Sequence, residues 1–185
     1  MNQAEEKHPC ASGERMARPL HEPVLLKEVI HFLGLTPGKI IIDATIGTSG
    51  HAEEIMRRIA PGGTLIGIDR DSESLKIAYE RLMPLQGAFK LLNKDFRNLK
   101  QILEDIEIEK VDGILFDLGI SSMQLETRER GFSIKNNGPL DMRMDTKGLL
   151  TARDLVNNLS EIELSDLIRA NGEERFHKRI ARSIV

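Results

Sequence analysis

The chain has 185 residues, 40% hydrophobic and 30% charged, with a net charge of −3, values that suit a soluble globular protein of one domain, or of one domain and part of a second. They exclude a protein that binds nucleic acid through bulk positive charge. The lone cysteine, Cys10, excludes a disulfide framework and a cysteine metal site and fits a reducing cytosol, and no apolar run is long enough to span a membrane.

Residues 1–18 carry Glu5, Glu6 and Glu14 and lack the apolar centre of a signal peptide. Neither a secretory signal nor an acid-poor transit peptide is expected, and the segment reads as a flexible tail. Pro23 opens a helical segment with Leu26, Val29, Ile30 and Leu33 on one face. Lys39-Ile-Ile-Ile42 follows as a short buried strand ending at Asp43. His51 to Ala60 is helical, with Ala52, Ile55, Met56 and Ile59 at helical spacing, and Pro61-Gly-Gly63 breaks it. Thr64 to Ile68 is a second buried strand ending at Asp69. Ser72 caps the next helix, whose Leu75, Ala78 and Leu82 point inward. Phe89 to Leu92 is a third strand, ending near Asp95-Phe96. Leu99, Ile102, Leu103 and Ile106 mark another helix, and Val111 to Phe116 is the fourth strand, ending at Asp117.

Alternating apolar strands and amphipathic helices predict an α/β fold with a parallel sheet covered on both faces. Right-handed crossovers then gather the strand C-termini, and with them Asp43, Asp69, Asp95 and Asp117, along one edge. Each aspartate alone is a common helix cap. Four in succession predict a ligand-binding rim, since open parallel sheets bind ligands there.

After Asp117 the chain runs for about 29 residues, to Asp145, with no clear helical or strand period. An irregular segment of that length in a compact domain is usually functional or disordered. Phe132, Leu140, Met142 and Met144 argue against disorder. Helical patterns then resume. Thr151 caps a helix with Leu155, Val156 and Leu159. Ser160-Glu-Ile-Glu163 is a capping box ahead of Leu164, Leu167 and Ile168. Gly172 ends that helix, and Glu173 to Val185 forms another with Phe176, Ile180 and Ile184 inward. No further strand follows, and the chain reads as a fragment of a longer protein.

The turn Asp43-Ala-Thr-Ile-Gly-Thr-Ser-Gly-His51 carries Gly47 and Gly50, which let backbone approach a ligand closely. Ser49 and Ala52 occupy the later glycine positions of a dinucleotide fingerprint. That counts against a nicotinamide-dependent enzyme and suits a nucleoside ligand without a pyrophosphate. Asp69 follows Gly50 by 19 residues, the spacing at which a carboxylate meets ribose hydroxyls. Asp71 reads as the start of a turn. Phe96 either lies against an adenine face or packs in the core. Asp117 with Leu118-Gly119 stands where a transferred group belongs. Arg128, Arg130, Lys135, Arg143, Lys147 and Arg153 form one basic group, and Arg169, Arg175, Lys178, Arg179 and Arg182 another. Either could contact phosphates, and the second reads equally as a solvated helix face. Phe132 either stacks on a base or anchors the loop.

These motifs resemble a known family. The turn from Asp43 to His51, Asp69-Arg-Asp71, the run from Asp117 to Leu125, Arg130-Gly-Phe-Ser133 and the run from Gly138 to Asp145 look like the RsmH (MraW) family of ribosomal RNA small-subunit methyltransferases. His21 to Leu26 and Gly172 to Phe176 fit it too, so the resemblance covers about residues 20–185. It implies a Rossmann-like class I methyltransferase sheet over residues 19–120. It further implies an active-site loop and the start of an inserted helical domain over residues 121–185. The implied activity is methylation of N4 of a cytosine in the decoding region of 16S ribosomal RNA, with S-adenosylmethionine as cofactor, in the cytoplasm. The implied cofactor contacts are Ser49, Gly50, His51, Asp69, Phe96, Asp117 and Gln124, with Asp117 as the catalytic group. Arg130 and Arg143 are expected to hold RNA. No metal and no membrane are implied. Ser49 stands where the family usually has glycine, and Met123 where it usually has proline, which frees the turn before Gln124. An inactive fragment or a non-catalytic RNA-binding module is the alternative.

Overall fold

The computed structural model describes residues 23–185; the expected tail over residues 1–18, with Cys10, lies outside the described residues. In chain order the elements are α1 (Leu26–Leu33), β1 (Ile40–Asp43), α2 (Gly50–Ile59), β2 (Thr64–Asp69), α3 (Ser72–Leu82), β3 (Ala88–Asn93), a 3-10 turn (Phe96–Asn98), α4 (Leu99–Asp105) and β4 (Gly113–Leu115). There follow α5 (Ser122–Glu126), a second 3-10 turn (Arg128–Arg130), α6 (Ala152–Asn158), α7 (Glu161–Gly172) and α8 (His177–Ile184).

The four strands form one parallel sheet in the order β3-β2-β1-β4. Successive side chains on a strand point to opposite faces, and the register aligns them into rows. Ile41 pairs with Leu65, which pairs with Phe89, and this row packs with Ile55, Met56 and Ile59 of α2 and Ala78 and Leu82 of α3. Ile42 pairs with Ile66, and with Ile68 this row packs against Ile102 of α4 on the other face. Ile41, Ile55, Ile59, Leu65 and Ile68 are fully buried. Each such side chain stabilises the fold by roughly 1.5–3 kcal/mol relative to exposure. Helices on both sheet faces are what apolar parallel strands require.

One glycine fixes how the first loop crosses the sheet. Gly67 pairs with Asp43, and a Cβ there would run into the Ile46 side chain. The loop after β1 therefore folds back over β2, with the Ile46 amide donating to the Ile68 carbonyl at 3.1 Å.

The structure departs from the sequence expectations at several element ends. α3 is capped by Asp71, whose side chain accepts from the Glu73 amide, and Ser72 is its first helical residue. The fourth strand shortens to Gly113–Leu115, because Asp112 instead brackets Ile40 with its own amide and carboxylate, both at 2.8 Å. The last helix begins at His177 because Glu173 takes a left-handed conformation (φ 51°) that ends α7. Phe176, Ile180 and Ile184, expected inward, are 44%, 37% and 43% exposed, and Ala181 is the buried residue of α8. α8 packs mainly on α7, whose Leu164 and Ser165 are buried, and Ser165 Oγ lies 2.7 Å from His177 Nδ1. No helix among the described residues is long and apolar enough to cross a membrane.

Candidate functional site

The C-terminal strand ends open into a cleft of about 1880 Å³. A typical small-molecule pocket holds about 300–1000 Å³, so this one has room for a cofactor and a second group beside it. Asp69, Asp95, Phe96, Asp117, His51 and Gln124 all line it. A smaller hollow of about 490 Å³ between Leu140, Asp141 and α6 touches no strand end.

The loop from β1 to α2 forms one wall. Gly47 (φ 50°) and Ser49 (φ 74°) both take the left-handed conformation. Ser49 is the N-cap of α2, yet its side chain makes no capping bond; it is fully buried, with its hydroxyl 3.5 Å from Glu53. Glycine adopts that backbone freely, and other L-residues do so at a cost. Ser49, expected to contact the cofactor, is therefore closed off behind the turn, and the cleft is lined by its neighbours Gly47, Thr48 and Gly50. Gly50 and His51 line the cleft directly.

Three of the four predicted rim aspartates do line the cleft, and Asp43 is the exception. It is 2% exposed behind the wall, its Oδ1 accepting the Thr45 amide at 3.2 Å. Burial pushes its carboxyl up to about 7, against the lowering effect of the Thr45 amide and with help from the charges of Asp117 and Asp69. Asp69 is also pushed upward by burial, opposed by the amides of Asp71 and Gly47 that donate to its two oxygens at 2.8 and 2.9 Å. Each carboxylate oxygen has a second lone pair, so Asp69 braces the glycine turn and can still accept from a diol. Phe96 is half-buried and meets Phe116 edge to face, with ring centroids 5.6 Å apart. The ring thus packs on Phe116 and also lines the cleft.

Asp117 follows β4. Its amide donates to Thr45 Oγ1 at 2.7 Å, which fastens the start of the long segment to the β1 loop. Its side chain is 53% exposed into the cleft, with Oδ2 3.8 Å from Nδ1 of the buried His51. His51 Nε2 lies 2.9 Å from the Val24 carbonyl.

The far wall is the segment from 121 to 145. Met123 does not free the turn before Gln124. The Ser121 hydroxyl accepts from the Gln124 amide while Gln124 Oε1 accepts from the Ser121 amide, a capping box that starts α5. Gln124 is 2% exposed and donates through Nε2 to Asp71 Oδ2 at 3.0 Å. Arg130, expected on the RNA-facing surface, lies inside instead: it is 4% exposed. Its Nη1 reaches Asp71 Oδ2 at 2.6 Å, and its Nη2 donates to the carbonyls of Arg143 and Met144 at 3.0 Å. A guanidinium so placed has no face for a phosphate. Burial alone would raise the Asp71 carboxyl, but hydrogen bonds from Gln124 and Arg130 outweigh it and hold it below the usual range. Removing one partner of such a buried pair costs about 3–5 kcal/mol. Arg143 is tied to both oxygens of Asp141 and to the Gly148 carbonyl, leaving a quarter of its side chain exposed.

Thr45 and Asp71 escaped the sequence reading. Asp71 looked like a turn residue, and its partners stand 53 and 59 positions away; no local signal reports such pairs. Of the second basic group, Arg175, Lys178 and Arg179 form no ion pair among the described residues, and the Arg175 and Arg179 guanidinium groups lie 4.5 and 5.5 Å from the Phe176 ring centroid. Among the described residues no cluster of His, Cys, Asp and Glu could hold a metal ion.

Known proteins share this pattern over almost the whole chain. The model of the MraW methylase family matches residues 18–185. The ribosomal RNA small subunit methyltransferase H of Dictyoglomus thermophilum is 50% identical over 90% of this chain and 56% of its own length. Its namesake from Dictyoglomus turgidum is 47% identical, covering 90% and 57%, and that of Syntrophus aciditrophicus 48% identical, covering 89% and 52%. The chain thus spans about half the length of the curated relatives it matches. With a family model matched from residue 18 to residue 185, the chain belongs to the MraW methylase family.

Proposed function

We propose that this chain carries the cofactor half of an S-adenosylmethionine-dependent methyltransferase acting on N4 of a cytosine in the decoding region of 16S ribosomal RNA, in the cytoplasm. The observation that carries the reading is Asp117, exposed into a cleft that Asp69 and the glycine turn also line. The residues fit the cofactor: Asp69 keeps lone pairs for a ribose diol, Phe96 offers a ring, and Gly47 and Gly50 line the turn while Ser49 is buried behind it.

S-adenosylmethionine supplies a methyl group already activated on a sulfonium. The chain's task is then alignment and charge. Asp69 and the Gly47–Gly50 backbone hold the nucleoside end. Cytosine N4 is a weak nucleophile because its lone pair is delocalised into the ring, and it gains positive charge as it is methylated. Asp117 accepts a hydrogen bond from that amine and stabilises the developing charge. The target base leaves its stack to reach the cleft. RNA is held by the free basic face of α8, with Phe176 among its cations, and by the exposed edge of Arg143, since Arg130 is spoken for.

Labelled methyl transfer to 16S RNA, with the product nucleoside read by mass spectrometry, tests this. N4-methylcytidine is the expected product, and Asp117→Ala should slow its formation by at least about a hundredfold. Methylation of another atom, or unchanged turnover in the variant, would refute it.

A further inference from the structure

We infer that Asp71 is a positioning residue that latches the far wall of the cleft onto the end of β2. Three observations converge on it. Asp71 is 1% exposed. Its amide donates to Asp69 Oδ1 at 2.8 Å, so its backbone helps set the carboxylate on the near wall. Its Oδ2 takes Gln124 Nε2 at 3.0 Å and Arg130 Nη1 at 2.6 Å, so its side chain holds the far wall at two points.

The latch reaches beyond those contacts. Gln124 is spent at both ends, on the Ser121 amide and on Asp71, so its side chain has one orientation. The second amino group of Arg130 draws in the carbonyls of Arg143 and Met144. One carboxylate therefore fixes α5, the turn at 128–130 and the loop at 143–144 together. Arg130 Nε, buried without a partner, marks the cost of that arrangement. A helix cap alone does not require it, because the capping bond uses the other oxygen, Oδ1, on the Glu73 amide at 3.0 Å.

That division of labour provides the test. Asn caps helices as well as Asp does, so Asp71→Asn keeps α3 but turns a donor toward the donors of Gln124 and Arg130. Hydrogen exchange should then speed up over residues 121–144 while α3 and the sheet keep their protection. The double variant Asp71→Asn with Gln124→Glu exchanges donor and acceptor and restores one negative charge beside Arg130. It should recover the lost protection. The effect on ligand rests on the S-adenosylmethionine reading above: if the wall is unlatched nine-tenths of the time, the apparent Kd rises about tenfold, measured by calorimetry against the wild-type chain. Unchanged exchange over 121–144 in Asp71→Asn, loss of protection spread evenly over the sheet, or an unchanged Kd despite an open wall would each overturn the inference. Failure of the wild-type chain to bind S-adenosylmethionine would overturn the cofactor reading instead, and the exchange data would still decide the latch.

Discussion

Asp43→Asn should stabilise the protein at neutral and alkaline pH and leave it nearly unchanged in acid. Folding raises the Asp43 carboxyl from 3.8 to about 7, chiefly through burial behind the cleft wall. The folded state thus holds a proton that the unfolded chain has already released. Stability from this group is complete below the unfolded value and is lost as pH rises through the folded one. About three pK units correspond to an upper limit of about 4 kcal/mol, reached above pH 7. Asn is neutral at every pH and its oxygen can still accept the Thr45 amide. With relaxation taking up part of the strain, a gain of about 2–3 kcal/mol is expected at pH 8, or roughly 4–12 °C in melting temperature for a chain of this size. Thermal melts of both proteins from pH 4 to pH 8 measure it directly. The difference should grow with pH and level off above 7. A variant that melts lower than the wild type at pH 8, or a difference independent of pH, would refute the burial argument.

Ser49→Gly should raise the urea midpoint. Relief of the left-handed backbone contributes roughly 1–2 kcal/mol, and the greater unfolded-state freedom of glycine returns about 0.4–1 kcal/mol of it; a lower midpoint would contradict the strain assignment. Asp69→Ala should weaken S-adenosylmethionine binding by roughly ten- to a hundredfold, the loss expected for hydrogen bonds to a charged group, as read by calorimetry. Replacing Arg175, Lys178 and Arg179 together with Gln should lower the slope of log affinity for 16S RNA against log salt by about 2. An unchanged slope would remove α8 from the RNA surface.

The sheet was legible because parallel strands buried on both faces spell apolar runs, as Ile40–Ile42 and Leu65–Ile68 do, and because helices stack their apolar residues at fixed spacing, as Ile55, Met56 and Ile59 do. Two caps were legible, since Thr151 and the box at Ser160 both form, whereas the cap at Asp71 was read as Ser72 and the box at Ser121 was not read at all. The long segment was legible as ordered chain beside the strand ends, but not in its internal wiring. Arg130 and Arg143 look alike in a row of basic residues. Only tertiary geometry separates a guanidinium that neutralises Asp71 in the interior from one that braces Asp141 at the surface. α8 misled for a related reason. Its periodicity is strongly amphipathic, yet among the described residues most of its apolar face is left uncovered, with Phe176, Ile180 and Ile184 exposed.

His51 has a proton assignment that follows from one contact. A carbonyl oxygen can only accept, so the 2.9 Å approach of Nε2 to the Val24 carbonyl places a hydrogen on Nε2. The neutral ring then turns a bare lone pair, on Nδ1, toward the Asp117 carboxylate 3.8 Å away. Two acceptors facing each other cannot bond. The space between them is filled on favourable terms only by a third group that brings hydrogens, or by a second proton on the ring. A donor group brought between them would meet an acceptor on either side, one on the buried ring of His51 and one on the exposed carboxylate of Asp117.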